Sequence, residues 1–195
     1  MLRKTFLLAL CAAALGGLVS SCCKSSSGLQ LTYDGAKDKA MDVSAGWAYA
    51  TTKTFSWPDG SGGFKTAKAA SHSFYLANFE LDPSRGVISL SSTLTADGQT
   101  RVSFGLVGGE GTEAGGKERV APAKGDYRCD VDKFSKVDWV EITVFEGGKE
   151  TKHRFDKPTG TIQVTASDPE EITGVIDVKD GKNAVKGGFT AKLTK

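Results

Sequence analysis

Histidine is scarce in this chain of 195 residues: His72 and His153 are the only two. Neither stands at metal-ligand spacing from a second histidine or a cysteine pair, and the HExxH and CxxC patterns that build zinc sites are missing. Two glycine-rich near-motifs overlap at 108–119. "GTEAGGK" at 111–117 has the glycine and lysine spacing of a phosphate-binding loop, but Glu118 follows where a Ser or Thr would hold magnesium. Pro122 then interrupts the helix that would aim its N-terminus at phosphate. "GEGTEA" at 109–114 mimics a dinucleotide fingerprint without the strand–helix setting that gives it meaning. "DVKDGKN" at 177–183 puts Lys179 where a calcium loop needs an oxygen ligand, so it reads as a hairpin turn. No GxSxG elbow is present. The expectation is no metal, no cofactor and a thin catalytic vocabulary, with the histidines structural and 108–119 a flexible loop.

Binding chemistry is better represented. "FSWPDGSGGFKTAKAA" at 55–70 is long for a hairpin loop and carries Trp57 and Phe64 among turn formers. Long loops with aromatics line ligand sites, so Trp57 and Phe64 are the candidate ligand-loop residues. A protein, glycan or lipid ligand would suit them, and the competing expectation is that both rings fold back onto the core. Trp47 and Trp139 fall in strand-like runs and are expected to pack against neighbours. Cys129 shares a strand face with Tyr127 and Val131, the setting of an inert buried thiol. The sharper alternative is a bridge to Cys23.

The elements that must position these groups are strands. Apolar residues recur with period two almost throughout. "SFYLANFEL" aligns Tyr75, Ala77, Phe79 and Leu81; "VISLSSTLT" aligns Ile88, Leu90, Ser92 and Leu94; "RVSFGLV" aligns Val102, Phe104 and Leu106. Similar runs follow at 139–145, 160–166, 171–178 and 184–193, with weaker candidates at 30–33, 43–55 and 151–156. Asp-Gly at 97–98 and 180–181, Gly-Gly at 147–148, and the turn formers at 82–86 and 168–170 punctuate them. The predicted fold is all-β: an antiparallel meander of about eight to ten strands closing into an up-and-down barrel or a barrel-like sandwich. Only 56–70 and 107–125 are long enough to cross over. In the last strand Phe189 should be buried, with Lys186, Thr190 and Lys192 facing solvent.

Ahead of these strands, Arg3 and Lys4 precede an apolar run from Phe6 to Leu18, too short to span a bilayer. It ends in "VSSCCKSSS". The "VSSC" at 19–22 resembles the lipobox of bacterial lipoproteins, with an aliphatic residue three before the cysteine and small residues between. The resemblance implies that Cys22 is acylated and becomes the first residue of the mature chain. Cys23 fits worse, because Ser20 would take the aliphatic position, and Cys11 follows bulky Leu10. The resulting organisation is a signal peptide at 1–21, a lipid anchor and polar tether at 22–29, and a single all-β domain at 30–195. No acidic residue follows Cys22 at once, which points to the outer membrane. The C-terminal pattern "GTIQVTA…ITGVIDV…VKGGFTAKL" is similar to the last strands of many β-rich bacterial lipoproteins, which implies no activity.

Cleavage before Cys22 takes 21 of the 195 residues and leaves 174; it removes two of the 25 basic residues and none of the 23 acidic ones. A balanced mature domain has no electrostatic footprint for nucleic acid. The sequence therefore predicts a lipid-anchored, exported cell-envelope protein acting as a binding or structural module. The alternative is a small apolar-ligand carrier of hollow-barrel type, with space left by Ala77, Ser92, Gly174, Gly187 and Ala191. A hydrolase stands third.

Overall fold

A computed structural model of the chain describes residues 28–114 and 120–194. Cys22, Cys23, the signal peptide and the 115–119 part of the glycine-rich segment lie outside the described residues. Eleven strands form one sheet: β1 (Gly28–Tyr33), β2 (Ala36–Asp42), β3 (Ala45–Pro58), β4 (Phe64–Ala77), β5 (Thr100–Val107), β6 (Gly125–Arg128), β7 (Lys136–Glu146), β8 (Lys149–Arg154), β9 (Thr159–Asp168), β10 (Glu171–Lys179) and β11 (Ala184–Leu193). A single turn of helix, α1 (Val87–Leu90), interrupts the link between β4 and β5. β1 begins at Gly28, inside the stretch expected to be tether.

Eight strands close on themselves in the order β10-β9-β6-β7-β5-β4-β3-β11, and β11 pairs back with β10. The barrel expected from period two is therefore the observed fold. Its wall has two parts. One is the meander β3-β4-β5-β7 with β8 paired to β7, and the other is β6-β9-β10-β11 with the β1–β2 hairpin paired to β11. Two short parallel seams join them: Lys192 and Leu193 of β11 beside Trp47 and Ala48 of β3, and Arg128 of β6 beside Lys136 of β7. At the first seam only a glycine fits, since a Cβ on Gly46 would run into the Thr190 carbonyl. The turns after β7, β9 and β10 are tight, and Gly147 and Gly148 adopt φ of 60° and 76° between β7 and β8.

One connected core fills the barrel. Phe74, Phe104 and Phe189 meet at its middle, the first two stacked with centroids 4.8 Å apart and Phe189 edge-on to both at 5.6 and 5.4 Å. The alternating residues of β5, β7, β9, β10 and β11 surround them, including Val102, Val140, Ile142, Ile162, Ile176 and Val185. Phe189 is 2% exposed and Lys186 and Lys192 are exposed, as the register of the last strand requires; Thr190 is half-buried because β3 approaches it. After β5 the chain runs on beside β4 through Gly108 and Gly111, and further along Ser167 of β9 donates to the Pro122 carbonyl. The inward-facing His72 places Nε2 2.7 Å from the Val120 carbonyl.

Four expectations are corrected. The run at 88–94 is no strand: β4 pairs directly with β5, Ala77 opposite Arg101, so 78–99 is left out of the sheet and forms α1 and turns. Ile88 is accordingly 67% exposed. Second, Tyr75 and Ala77 face outward; Phe74 and Leu76 are the core residues of β4, and the outer pair is buried by Leu81 and Leu90 of the excluded segment. Third, the meander is not continuous: 107–125, one of the two segments long enough to cross over, does so from β5 to β6, two strands away in the sheet. Finally, 56–70 is not a loop. It is the end of a hairpin whose strands run fourteen residues each, with a turn only at 59–63.

Candidate functional site

Trp57 and Phe64 lie near that hairpin tip, and the structure separates them. Trp57 is opposite Lys65 and Phe64 is opposite Pro58, so the two rings point to opposite faces of the ribbon. Trp57 and Phe55 share the outer face, where Phe134 packs edge-on against both at 6.1 and 5.4 Å, and the Lys133 ammonium sits 5.0 Å above the Trp57 ring. Phe64 is 74% exposed. The turn itself is rigid, because Asp59 Oδ1 accepts from Ser61 N, Ser61 Oγ and Gly63 N at 2.8 to 2.9 Å. No joint platform of Trp57 and Phe64 exists.

A different group of side chains converges on the outer face of the meander. Register aligns Trp47, Tyr75, Ser103, Glu141 and Arg154 in one row across β3, β4, β5, β7 and β8. The neighbouring row carries Ala77, Arg101, Thr143 and Lys152. Next to Ser103, Gly105 opposes Trp139, and the indole packs against the glycine: a Cβ there would run into Trp139 Nε1 and come within 2.8 Å of Cδ1. Among the described residues the indole N–H makes no hydrogen bond.

The segment 78–99 arches over this face and is pinned to it. Asn78 donates to the Gly98 carbonyl and accepts from Thr100 N. Glu150 of β8 accepts from Leu94 N at 2.6 Å. Arg101 Nη1 donates to the carbonyls of Leu90 and Ser92 at 3.1 and 2.7 Å, capping the end of α1. Arg101 is only 2% exposed, and its Nε is buried without an acceptor. Burial lowers the guanidinium pKa, and the charges of Glu150 and Glu141 oppose that shift. Burial likewise raises the Tyr75 hydroxyl.

Between the arch and the β7–β8 hairpin remains a cleft of about 430 Å³, within the range of small-molecule sites. Tyr75, Arg101, Ser103, Trp139, Lys152 and Arg154 are among its walls. Arg154 is neutralised by Glu141 at 2.7 Å, and Lys152 lies 3.5 Å from Glu150. Arg101, the innermost cation, has no carboxylate within ion-pair distance among the described residues. The arrangement offers cationic charge, an indole donor and flat apolar surface, which is a binding vocabulary.

The remaining chemistry-bearing residues lie outside this cleft. Burial depresses the pKa of His72, so it stays neutral against the Val120 carbonyl. His153 packs at a tilt against Tyr33, with ring centroids 4.9 Å apart, beside a Lys39–Glu146 ion pair of 2.6 Å that clasps β2 to β7. Cys129 is half-buried against the core, and burial pushes its thiol up to about 11, which keeps it protonated and unreactive. Among the described residues no group of three His, Cys, Asp or Glu is arranged to hold a metal. The described half of the glycine-rich segment is not loose, since Gly108 and Gly111 donate to the carbonyls of Ala70 and Lys68 along β4. No family model, curated protein or solved structure matches the chain.

The cleft was missed in the sequence for a definite reason. All eight residues of β5 are buried, but only Val102, Phe104 and Leu106 announce it. Arg101, Ser103 and Gly105 read as a solvent face until the arch covers them. The one available signal was Gly105 in mid-strand, which marks close approach by another group.

Proposed function

We propose that this chain is an exported binding module, held at the cell envelope by lipid on Cys22, that engages its ligand on the outer face of the barrel. One observation carries the choice of face. Phe74, Phe104 and Phe189 occupy the barrel's middle, whereas the outer cleft gathers a buried cation and an unpartnered indole N–H around open space. The anchor rests on Val19, Ser20, Ser21 and Cys22, and outer-membrane placement on the lack of an acidic residue directly after Cys22. The apolar-ligand carrier is the second reading. It has the barrel fold in its favour, but its guest would have to part the three phenylalanines.

Two measurements test this. A fragment screen followed by amide and methyl NMR separates the faces. Shifts confined to Ser103, Trp139 and Lys152 support the outer site, and shifts at Ile176, Leu106 and Phe189 would replace it with the carrier. Mass spectrometry of the mature N-terminus tests the anchor. A lipid-modified Cys22 and a Cys22→Ala chain absent from the membrane fraction are expected; an unmodified Cys22, or a mature chain starting elsewhere, removes the anchor.

A further inference from the structure

We infer that the outer cleft selects a small organic monoanion, a carboxylate attached to a ring, with the charge over Arg101 and the ring against Trp139; this rests on the outer-face reading above. Arg101 is the centre of the argument. A guanidinium withdrawn from water loses most of its solvation, and the loss is tolerated only where partners replace it. Here the partners are two peptide carbonyls on Nη1, and Nε is left with none. A hydrophobic residue could have covered this part of the sheet at no such cost. The segment 78–99 is also pinned independently by Asn78 and Glu150, so Arg101 is not needed merely to hold it down. Glu150 and Glu141 act on Arg101 without pairing with it, and a carboxylate entering the cleft would add the direct partner in surroundings where it is poorly screened.

The walls define the rest of the ligand. Counted over its lining, the cleft has three cations, Arg101, Lys152 and Arg154, against one carboxylate, Glu141. Glu150 stands just outside beside Lys152. Such a balance favours one negative charge and resists a second, which sets a carboxylate above a phosphate dianion. Trp139, packed against Gly105 and lining the cleft, brings ring surface and an N–H that makes no hydrogen bond among the described residues. Tyr75 on β4, beyond β5 from Trp139, adds a second ring to the lining. Aromatic acids and acidic sugars share this chemistry, and simple probes distinguish them.

The test titrates benzoate and glucuronate, with benzyl alcohol and glucose as their neutral counterparts, into the folded domain. The Trp139 indole and Arg101 Nε–H resonances are the readouts. Arg101 also touches α1, so charge is varied at the rim instead. Lys152→Glu reverses a lining cation, and Lys149→Glu makes the same change outside the cleft. At least one acid should shift both resonances and bind about tenfold more tightly than its neutral counterpart. Lys152→Glu should weaken it about tenfold, Lys149→Glu should not, and added salt should weaken it in the parent protein. Benzoate ahead of glucuronate identifies an aromatic acid, and the reverse an acidic sugar. Neutral probes binding as tightly as the acids, or an unaffected Lys152→Glu protein, overturn the inference while leaving the outer cleft as a site. Failure of both acids to move either resonance also overturns it, and the fragment mapping then decides the outer-face reading separately.

Discussion

Individual side chains in this protein take their properties from the neighbours that the sheet places beside them. Asp138 shows how. Burial alone would raise its pKa, but Lys53 at 2.5 Å and Lys136 at 3.3 Å outweigh burial and leave the carboxyl below its ordinary value of 3.8. A depressed carboxylate stabilises the fold above its unfolded pKa, and that contribution disappears as pH falls through the folded value. Asp138→Asn should therefore be about 1 kcal/mol less stable than the parent protein at neutral pH. The gap should shrink below about pH 4, as followed by urea denaturation across the pH range. An equal gap at pH 7 and pH 3 would show that the two lysines do not act on Asp138 through its charge.

Elements in this fold are defined by what they pair with as much as by composition. The β3–β4 hairpin reaches its turn with unbroken register from Ala45–Ala77 to Pro58–Phe64, through a stretch whose Gly, Asp, Ser and Pro content suggests a loop. Those residues occupy only the turn and the strand ends. On the ribbon's outer face Trp57, Phe55 and Phe134 pack together, while Phe64 on the other face is solvated. The two aromatics should then behave differently. Trp57→Ala should cost about 1 kcal/mol or somewhat more through lost ring contacts, and Phe64→Ala should stay within about 0.5 kcal/mol of the parent. Equal losses in chemical denaturation would mean that the opposite-face register is wrong. The segment 78–99 makes the converse point. Part of it alternates like a strand, yet it is left out of the sheet, because the strands on either side of it in sequence, β4 and β5, pair directly with each other.

At the scale of the whole molecule, closure depends on few residues. Two short parallel seams join the halves of the wall, and one cluster of three rings fills the space between them. Gly174 is small because the Phe189 ring needs the room: a Cβ there would lie 2.5 Å from Phe189 Cζ. The small residue at Gly174 thus accommodates Phe189 on the neighbouring strand and the Gln163 carbonyl, and does not mark a hollow. Phe189→Ala should cost about 3–5 kcal/mol. Combined with Phe74→Ala it should depart from additivity, since the two rings touch. Thermal and denaturant unfolding check both, and a loss under about 1 kcal/mol for Phe189→Ala would show that the trio does not hold the barrel's centre.

The sequence by itself determined the class of fold and much of its interior. Period-two alternation is a local property of the backbone, and in β5, β7, β9, β10 and β11 it named the inward residues from Val102 to Leu193, along with the tight turns at 147–148, 168–170 and 180–181. Three things were decided only in the tertiary structure, because each depends on which distant segments meet. Tyr75 and Ala77, outward by the register of β4, became buried when 78–99 folded over them. The 56–70 stretch became a ribbon when its two halves paired. Arg101, an ordinary exposed position by its pattern, became a buried cation at the floor of a cleft. Burial of a strand's second face is set by what packs upon it from elsewhere in the chain, and the local sequence carries only one trace of that contact, the glycine at 105.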